Sequence, residues 1–214
     1  MNETLKYIAN KFNLDFNQEL PIPIYNINRT IMAALLNELG FKEGAEIGVA
    51  EGYHAQILCQ AIPALRLHAV DIWQKYPGYE EYPNPEDCYR QALENLKPYN
   101  VKFYRKFSMD AVKEFPASSL DFVYIDGAHD FKSVAEDICE WSPKVRVGGI
   151  VFGHDYKRSS SRSKFKTYVK DVVNAYMYSH GISPWFVLAN DSPDPKFGRD
   201  NPGWMFVRQE GDEI

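Results

Sequence analysis

Several features that would assign this chain of 214 residues to other classes of protein are missing from it. No uninterrupted apolar run is long enough to span a bilayer. The first six residues lack the basic start and hydrophobic core of a secretory signal. There are three cysteines and no CxxC pair, and each lies in an apolar helical stripe: Cys59, Cys88 and Cys139. We therefore expect a soluble, cytoplasmic protein whose cysteines are buried free thiols.

An excess of positive charge is also missing. The chain has 24 Lys and Arg against 29 Asp and Glu, a net charge of -5, whereas a general nucleic-acid binder needs a basic face. Internal repeats and low-complexity linkers are absent from the sequence. The length suits one domain, which we place at residues 26–214 after a helical lead-in at residues 1–25. We expect a small-molecule partner, neither nucleic acid nor membrane, with a homodimer left open.

Strand-like apolar runs alternate with helical patterns through most of the chain. Leu120–Ile125 is a nearly continuous apolar run, typical of a strand covered on both faces. The next segment repeats apolar residues at helical spacing: Phe131, Val134, Ala135, Ile138 and Cys139. This alternation predicts an α/β fold, a doubly wound and mostly parallel sheet with helices on both faces. No helix separates the last two predicted strands, Trp185–Leu188 and Trp204–Val207, so one of them must run antiparallel.

A glycine turn follows the first predicted strand and reads Glu46-Ile47-Gly48-Val49-Ala50-Glu51-Gly52. Another acid, Asp71, ends the second predicted strand. This arrangement is typical of the nucleotide-binding half of a doubly wound sheet, where the later carboxylate accepts hydrogen bonds from ribose hydroxyls. The turn lacks the glycines of a dinucleotide motif, and the Glu46 carboxylate would repel a pyrophosphate. A carboxylate at this position suits S-adenosylmethionine, which carries a sulfonium and an ammonium group. A nicotinamide-dependent oxidoreductase is the alternative.

Two further carboxylates, Asp126 and Asp155, follow the fourth and fifth predicted strands. Ligands of open α/β sheets bind at the carboxyl ends of the strands, so we expect both acids at the lip of the cleft. His129 follows Asp126 by three residues, and His154 adjoins Asp155. A structural alternative is that Asp126 only caps the following helix and that His129 is exposed in its first turn.

The chain resembles the class I S-adenosylmethionine-dependent methyltransferases, in the branch that includes small-molecule and sugar O-methyltransferases. The resemblance rests on the turn at 46–52, on residues 124–129 (YIDGAH) and on residues 148–156 (GGIVFGHDY). It implies a seven-stranded sheet of order 3-2-1-4-5-7-6 with strand 7 antiparallel. It also implies methyl transfer to a hydroxyl of a sugar, a phenol or a natural product.

The resemblance further implies which residues bind the cofactor. These are Glu46, Gly48 and Gly52 around the methionine moiety, Asp71 at the ribose, Ser108 and Met109 beside the adenine, and in addition Ile72 and Asp126.

Relatives of the catechol type hold magnesium with an acid after strand four and a pair of side chains after strand five. By that pattern Asp126, His154 and Asp155 would bind the metal, and Asp126, His129 and Asp155 would form the catalytic group with His129 as the base. His154 departs from the pattern, because magnesium prefers oxygen whereas imidazole favours zinc, manganese, iron or nickel. The sequence leaves open whether a metal is required.

Two other interpretations stay open at this point. A degenerate methyltransferase fold could serve as a non-catalytic binding module, and some members of the resembled branch have been assigned as hydroxylases. The aromatic segment Trp73–Pro85 leaves the cofactor side of the predicted sheet. It fits either a lid that packs on the acceptor or a proline-stiffened surface loop.

Overall fold

The structure, a computed structural model, describes residues 2–76, 84–159, 166–189, 201–212 and 214. The helices are α1 Glu3–Phe12, α2 Arg29–Glu38, α3 Tyr53–Ala61, α4 Pro85–Leu96, α5 Ser108–Ala111, α6 Phe131–Trp141 and α7 Val169–Ser179, and two 3-10 turns span Val112–Glu114 and Ser142–Lys144. The strands are β1 Ile22–Tyr25, β2 Glu43–Ile47, β3 Arg66–Asp71, β4 Val101–Arg105, β5 Leu120–Ile125, β6 Val145–Gly153, β7 Trp185–Ala189 and β8 Gly203–Val207.

The described strands form one sheet in the order β1-β7-β8-β6-β5-β2-β3-β4. Neighbouring strands are parallel except at β8, which runs antiparallel to both β6 and β7. Starting from β4, seven of them reproduce the expected order 3-2-1-4-5-7-6, so the predicted class, order and antiparallel strand are confirmed.

The sheet has one strand more than the seven expected. Residues 22–25, which the sequence places at the end of a helical lead-in, form β1 and pair with β7 alone. Prolines at 21 and 23 argue against a strand inside a sheet, because proline has no N–H to donate. An edge strand leaves one side unpaired, and β1 therefore tolerates them.

Helices cover both faces of the sheet and enclose two apolar clusters. One cluster contains Leu36 of α2, Leu58 of α3 and Phe122 of β5. The other contains Val123 of β5, Ile138 of α6 and Val173 of α7. Alternate residues of β5 thus serve opposite faces, which explains its continuous apolar sequence. Within the described residues, none of the helices combines the length and the apolar character that crossing a membrane requires.

The expectation of three buried thiols is wrong for one of them. Cys59 and Cys88 are buried, but Cys139 is exposed. The inner face of α6 runs through Val134, Asp137, Ile138 and Trp141, which leaves Cys139 and Phe131 toward solvent. Because Asp137 lies on the inner face, the buried residues of α6 differ from the apolar stripe that the periodicity predicts.

Candidate active site

The glycine turn after β2 lies in close contact with the loop after β5. Gly48 has a φ of 85°, and a Cβ at this position would lie 2.1 Å from the carbonyl oxygen of Asp126. Only glycine fits both the conformation and the space. Glu46, one residue before the end of β2, is 1% exposed and lies 3.3 Å from His54 Nδ1. Burial raises the pKa of Glu46, although His54 acts in the opposite direction.

Asp71 fastens this turn to the end of β3. Its Oδ2 accepts hydrogen bonds from the backbone N–H groups of Val49 (2.9 Å) and Ala50 (3.0 Å), and its Oδ1 accepts one from Trp73 (2.8 Å). Burial raises the pKa of Asp71, and these backbone donors only partly oppose the rise. Each carboxylate oxygen can accept more than one hydrogen bond, so the residue can still bind a ribose.

Most of the predicted cofactor residues line two clefts that share Gly48. The first, of about 680 Å³, is lined by Gly48, Asp71, Ile72, Ser108 and Met109 among others. Glu46 and Asp126 line the second, which continues toward His129, His154 and Asp155. We name these the nucleoside cleft and the acidic cleft.

Gly52 is the predicted cofactor residue that lines neither cleft. It precedes the first residue of α3 with a φ of 78°, and a Cβ there would lie 3.0 Å from Leu96 Cδ1 of α4. Gly52 therefore lies in the turn before α3 and packs against α4.

The predicted catalytic and metal residues converge at the ends of β5 and β6. His129 Nε2 lies 3.0 Å from Asp155 Oδ2 and 3.5 Å from Asp126 Oδ1. His154 Nδ1 lies 3.7 Å from Asp155 Oδ1 and 3.9 Å from Asp126 Oδ1. One donor atom from each of Asp126, His154 and Asp155 falls within 4.8 Å of the others, close enough for all three to hold one metal ion. The mixed oxygen and nitrogen donor set fits a divalent transition metal.

The structural alternative for Asp126 is wrong. The N-cap of α6 is Asp130, whose carboxylate accepts hydrogen bonds from the N–H groups of Lys132 and Ser133. Asp126 instead accepts a 3.0 Å hydrogen bond from the Tyr124 hydroxyl. His129 is partly buried, with 20% of its side chain exposed, and is not a surface residue of α6.

The charges in the acidic cleft stabilise one another. Burial favours neutral carboxyls here, but the charge of His154, a hydrogen bond from His129 and the charge of Arg29 outweigh it and lower the pKa of Asp126. The two histidines likewise hold the pKa of Asp155 far below its usual range against burial. Burial lowers the pKa of His129, but Asp126 and Asp155 outweigh it and raise the pKa to about 10.

Three further residues belong to this region, and sequence reasoning did not connect two of them, Arg29 and Asn28, with it. Arg29, the first residue of α2, lies 3.9 Å from Asp126 and 3.3 Å from His154 Nε2. Asn201, in the segment before β8, donates a 2.6 Å hydrogen bond to Asp155 Oδ1. Asn28 caps α2 by accepting a hydrogen bond from Ile31, which places Arg29 over the cleft. The sequence indicates a helix cap at Asn28, but it does not indicate that this cap lies beside the site.

A mostly apolar cavity adjoins the acidic cleft and shares Arg29, His54 and His154 with it. Its apolar wall consists of Ile27, Met32, Tyr124, Phe152 and Leu188. We name it the apolar cavity. Of the aromatic segment Trp73–Pro85, residues 77–83 lie outside the described residues. Trp73 itself is buried and donates a 2.8 Å hydrogen bond to the Ala50 carbonyl, so this residue belongs to the core.

Comparison with known proteins places this site in a family. Residues 45–156, about half of the chain, match the family model described as a methyltransferase domain. The chain belongs to this methyltransferase family. The match spans the glycine turn and the ends of β5 and β6, and it confirms the resemblance drawn from the sequence.

Solved methyltransferases share the fold at low sequence identity. An O-methyltransferase from Bacillus cereus in complex with SAH superposes with a TM-score of 0.61 at 15% identity, covering 97% of this chain and 92% of that one. The O-methyltransferase TomG from Streptomyces achromogenes, in complex with SAM, gives 0.62 at 16% identity, covering 97% and 91%. An uncharacterized protein of Sinorhizobium fredii is 29% identical over 130 residues. That match covers 56% of this chain and 14% of the relative, so the chain spans a small part of the relative's length.

Proposed function

We propose that this protein transfers the methyl group of S-adenosylmethionine to a hydroxyl of a small molecule such as a sugar, a phenol or a natural product. One observation carries the proposal: the nucleoside cleft and the acidic cleft meet at Gly48. A cofactor spanning both would present its reactive centre to Asp126, His129 and Asp155. The solved O-methyltransferases of the same fold, crystallised with SAH or SAM, support this cofactor.

The cofactor would be held by groups that complement its charges. Asp71 would bind the ribose hydroxyls, Ile72 and Met109 would flank the base, and the buried Glu46 would face the positively charged methionine end. Opposite charges within a few ångströms attract strongly where water is excluded. The Glu46 carboxylate is unsuited to the pyrophosphate of a nicotinamide cofactor.

Asp126, His154 and Asp155 would hold a divalent cation, since their donor atoms lie close enough to share one. Such an ion acts as a Lewis acid and eases the loss of the proton from an acceptor hydroxyl. His154 makes manganese or another imidazole-tolerant ion a better match than magnesium.

His129 would receive the proton of the acceptor hydroxyl at Nε2 when another positive charge balances Asp126 and Asp155. These carboxylates lie within 3.5 Å of Nε2 and otherwise keep the imidazole protonated at neutral pH. The apolar cavity beside them would hold the apolar body of the acceptor, with its hydroxyl directed at His129. Positioning of this kind contributes on the order of 7–11 kcal/mol to bimolecular reactions, and general base catalysis about 10²–10⁴-fold.

The test is methyl transfer itself. We would incubate the protein with S-adenosylmethionine and a panel of phenols, catechols, sugars and glycosides, and measure SAH by mass spectrometry with manganese, with magnesium or with EDTA. The proposal expects SAH and a methylated hydroxyl product with at least one acceptor, and a slower reaction in EDTA. Cofactor binding without methylation of any acceptor would favour the non-catalytic binding module.

A further inference from the structure

A buried histidine lies on the boundary between the acidic cleft and the apolar cavity and takes no part in the proposed methyl transfer. His54, in the first turn of α3, is 5% exposed and lines both spaces. A buried polar atom without a hydrogen bond is unfavourable, and the imidazole ring has two such atoms. The contacts of the two ring nitrogens therefore indicate what the residue can bind.

The protein holds the ring of His54 in place and leaves one of its nitrogens unpaired. Nδ1 lies 3.3 Å from Glu46 Oε2. The ring packs on Tyr124, with 4.0 Å between the ring centroids, and edge-on against Phe152 at 6.5 Å. Among the described residues no group forms a hydrogen bond with Nε2, and this nitrogen is not sealed off from the adjoining space. Nε2 is therefore open to a ligand at the boundary.

The neighbouring charges decide whether Nε2 donates or accepts. With the cofactor's ammonium group beside it, Glu46 is a carboxylate and can only accept, so Nδ1 of His54 carries a hydrogen. A second hydrogen on the ring would add a positive charge next to the sulfonium and the ammonium groups, in a place with little water. The ring is therefore neutral when the cofactor is bound, and Nε2 keeps its lone pair for an O–H or N–H donor.

The rest of the cavity wall makes this nitrogen important for selectivity. Its other polar side chains already have partners in the protein: Asn28, Arg29, Tyr124, His154 and Asn201. The remaining side chains are apolar and offer no hydrogen bond: Ile27, Met32, Phe152 and Leu188. In such a pocket a small number of placed polar groups fixes the orientation of the ligand. His54 Nε2 is one such group.

We propose that His54 binds the methyl acceptor through Nε2, which accepts a hydrogen bond from a second hydroxyl or an amino group of that molecule. The inference rests on the proposed function, because it needs the acceptor in the apolar cavity and the cofactor beside Glu46. The favoured acceptor carries an apolar ring and one donor besides the hydroxyl that is methylated, as a diphenol does. An acceptor without the second donor leaves Nε2 unpaired and binds more weakly.

Two ring compounds of similar size test the need for a donor: resorcinol and 3-fluorophenol. Fluorine replaces one hydroxyl of resorcinol, is close to it in size and carries no proton. The two substituents are too far apart on the ring to bind one metal ion together, so the comparison does not measure chelation. Ligand-observed NMR titrations give the Kd of each compound for the SAH-saturated protein, with a correction for the two equivalent hydroxyls of resorcinol.

Two substitutions separate the roles of the two ring nitrogens. His54→Asn places an amide NH₂ near the position of Nδ1, so Glu46 keeps a donor while the acceptor at Nε2 is lost. His54→Gln places an amide oxygen near the position of Nε2 and restores an acceptor there. Glu140→Gln changes an exposed residue of α6 and serves as the control.

We expect the wild type and Glu140→Gln to bind resorcinol about fivefold or more tightly than 3-fluorophenol, the effect of one hydrogen bond. The preference should disappear in His54→Asn and return in part in His54→Gln. An unchanged preference in His54→Asn overturns the inference, since His54 then only supports the fold of the site. A wild type that binds SAH but shows no preference, or does not bind resorcinol, also overturns the inference alone. Failure to bind SAH overturns the proposed function as well.

A crystal structure decides the case in which the two His54 variants do not fold, as judged by circular dichroism. The wild type is then crystallised with SAH and soaked with resorcinol. A distance of about 3.2 Å or less from His54 Nε2 to a resorcinol oxygen supports the inference, and a longer one overturns it.

Discussion

The carboxyl groups that line the two clefts fall into two opposite electrostatic states. Burial raises the pKa values of Asp71 and Asp137 in the nucleoside cleft, and also that of Glu46, which lines the acidic cleft, and hydrogen bonds only partly oppose the rise. In the acidic cleft, cationic neighbours outweigh burial and lower the pKa values of Asp126 and Asp155. All five carboxyls are buried or partly buried, so the difference comes mainly from their partners.

This difference indicates what each cleft can bind. The first group has few cationic neighbours, and a ligand that brings positive charge would stabilise its ionised carboxylates. The acidic cleft already contains the histidines and the arginine that lower the pKa values of its two aspartates. A metal ion held by His154 and the two aspartates would compete with His129 and Arg29 for the carboxylates. While both carboxylates face His129 it stays protonated at neutral pH, and it can act as a base only when their charge is balanced in another way.

The largest effect should follow removal of Asp126, which has a place in both proposed roles. We expect Asp126→Ala to lower kcat/KM for methyl transfer by about 100-fold or more, since base catalysis and positioning are both weakened. Steady-state kinetics against Glu140→Gln as the control would measure it. Turnover at the wild-type rate would mean that the site has been assigned to the wrong residues.

A smaller but more selective loss should appear in metal affinity. We expect manganese to bind the wild type with one-to-one stoichiometry, and Asp155→Asn to bind it at least about tenfold more weakly, because one oxygen ligand is lost. Electron paramagnetic resonance of free manganese gives both affinities. Equal affinities, or no binding to the wild type, would argue that the two aspartates serve only the histidines.

Substitution of Glu46 tests the group of carboxyls whose pKa values are raised by burial. Glu46→Gln should weaken SAH by about tenfold, since the ammonium group loses its buried counter-charge. The same change should barely affect 5′-methylthioadenosine, which has no ammonium group. Calorimetry with both ligands separates the two cases. A similar loss for both would show that Glu46 supports the fold of the turn and does not read the charge of the ligand.

The smallest effect concerns stability and pH. A pKa of about 7 for Asp137 in the folded protein lies above the value of an unfolded aspartic acid, so the folded protein binds this proton more tightly. The contribution of the group to stability is therefore present at low pH and falls as pH rises toward 7. Relative to Asp137→Asn, the wild type should lose roughly 1–2 kcal/mol of unfolding free energy between about pH 5 and 7. Urea titrations at several pH values would measure the difference, and a constant difference would exclude the buried, weakly supported carboxyl.

The sequence predicts what depends on the order of strands. The carboxyl ends of parallel strands meet at one edge, so the sequence alone predicts that Asp71, Asp126 and Asp155 lie at the same edge of the sheet. The position of Arg29 could not be predicted, because this residue reaches the site from a segment whose path depends on tertiary packing. Asp137 was not predicted to be buried, because an acid inside an apolar helical stripe looks like an interruption of the helical pattern. Such a break is itself a signal, since a charged residue on the inner face of a helix needs a partner.

The nucleoside cleft and the acidic cleft together should bind a sulfur-based cofactor and not a dinucleotide. Isothermal titration calorimetry of the wild type with SAH, and separately with NAD⁺ and NADH, tests it most directly. We predict saturable one-to-one binding of SAH and no heat from either dinucleotide. Absence of heat and of any thermal shift at saturating SAH, or tight binding of NADH, would contradict it.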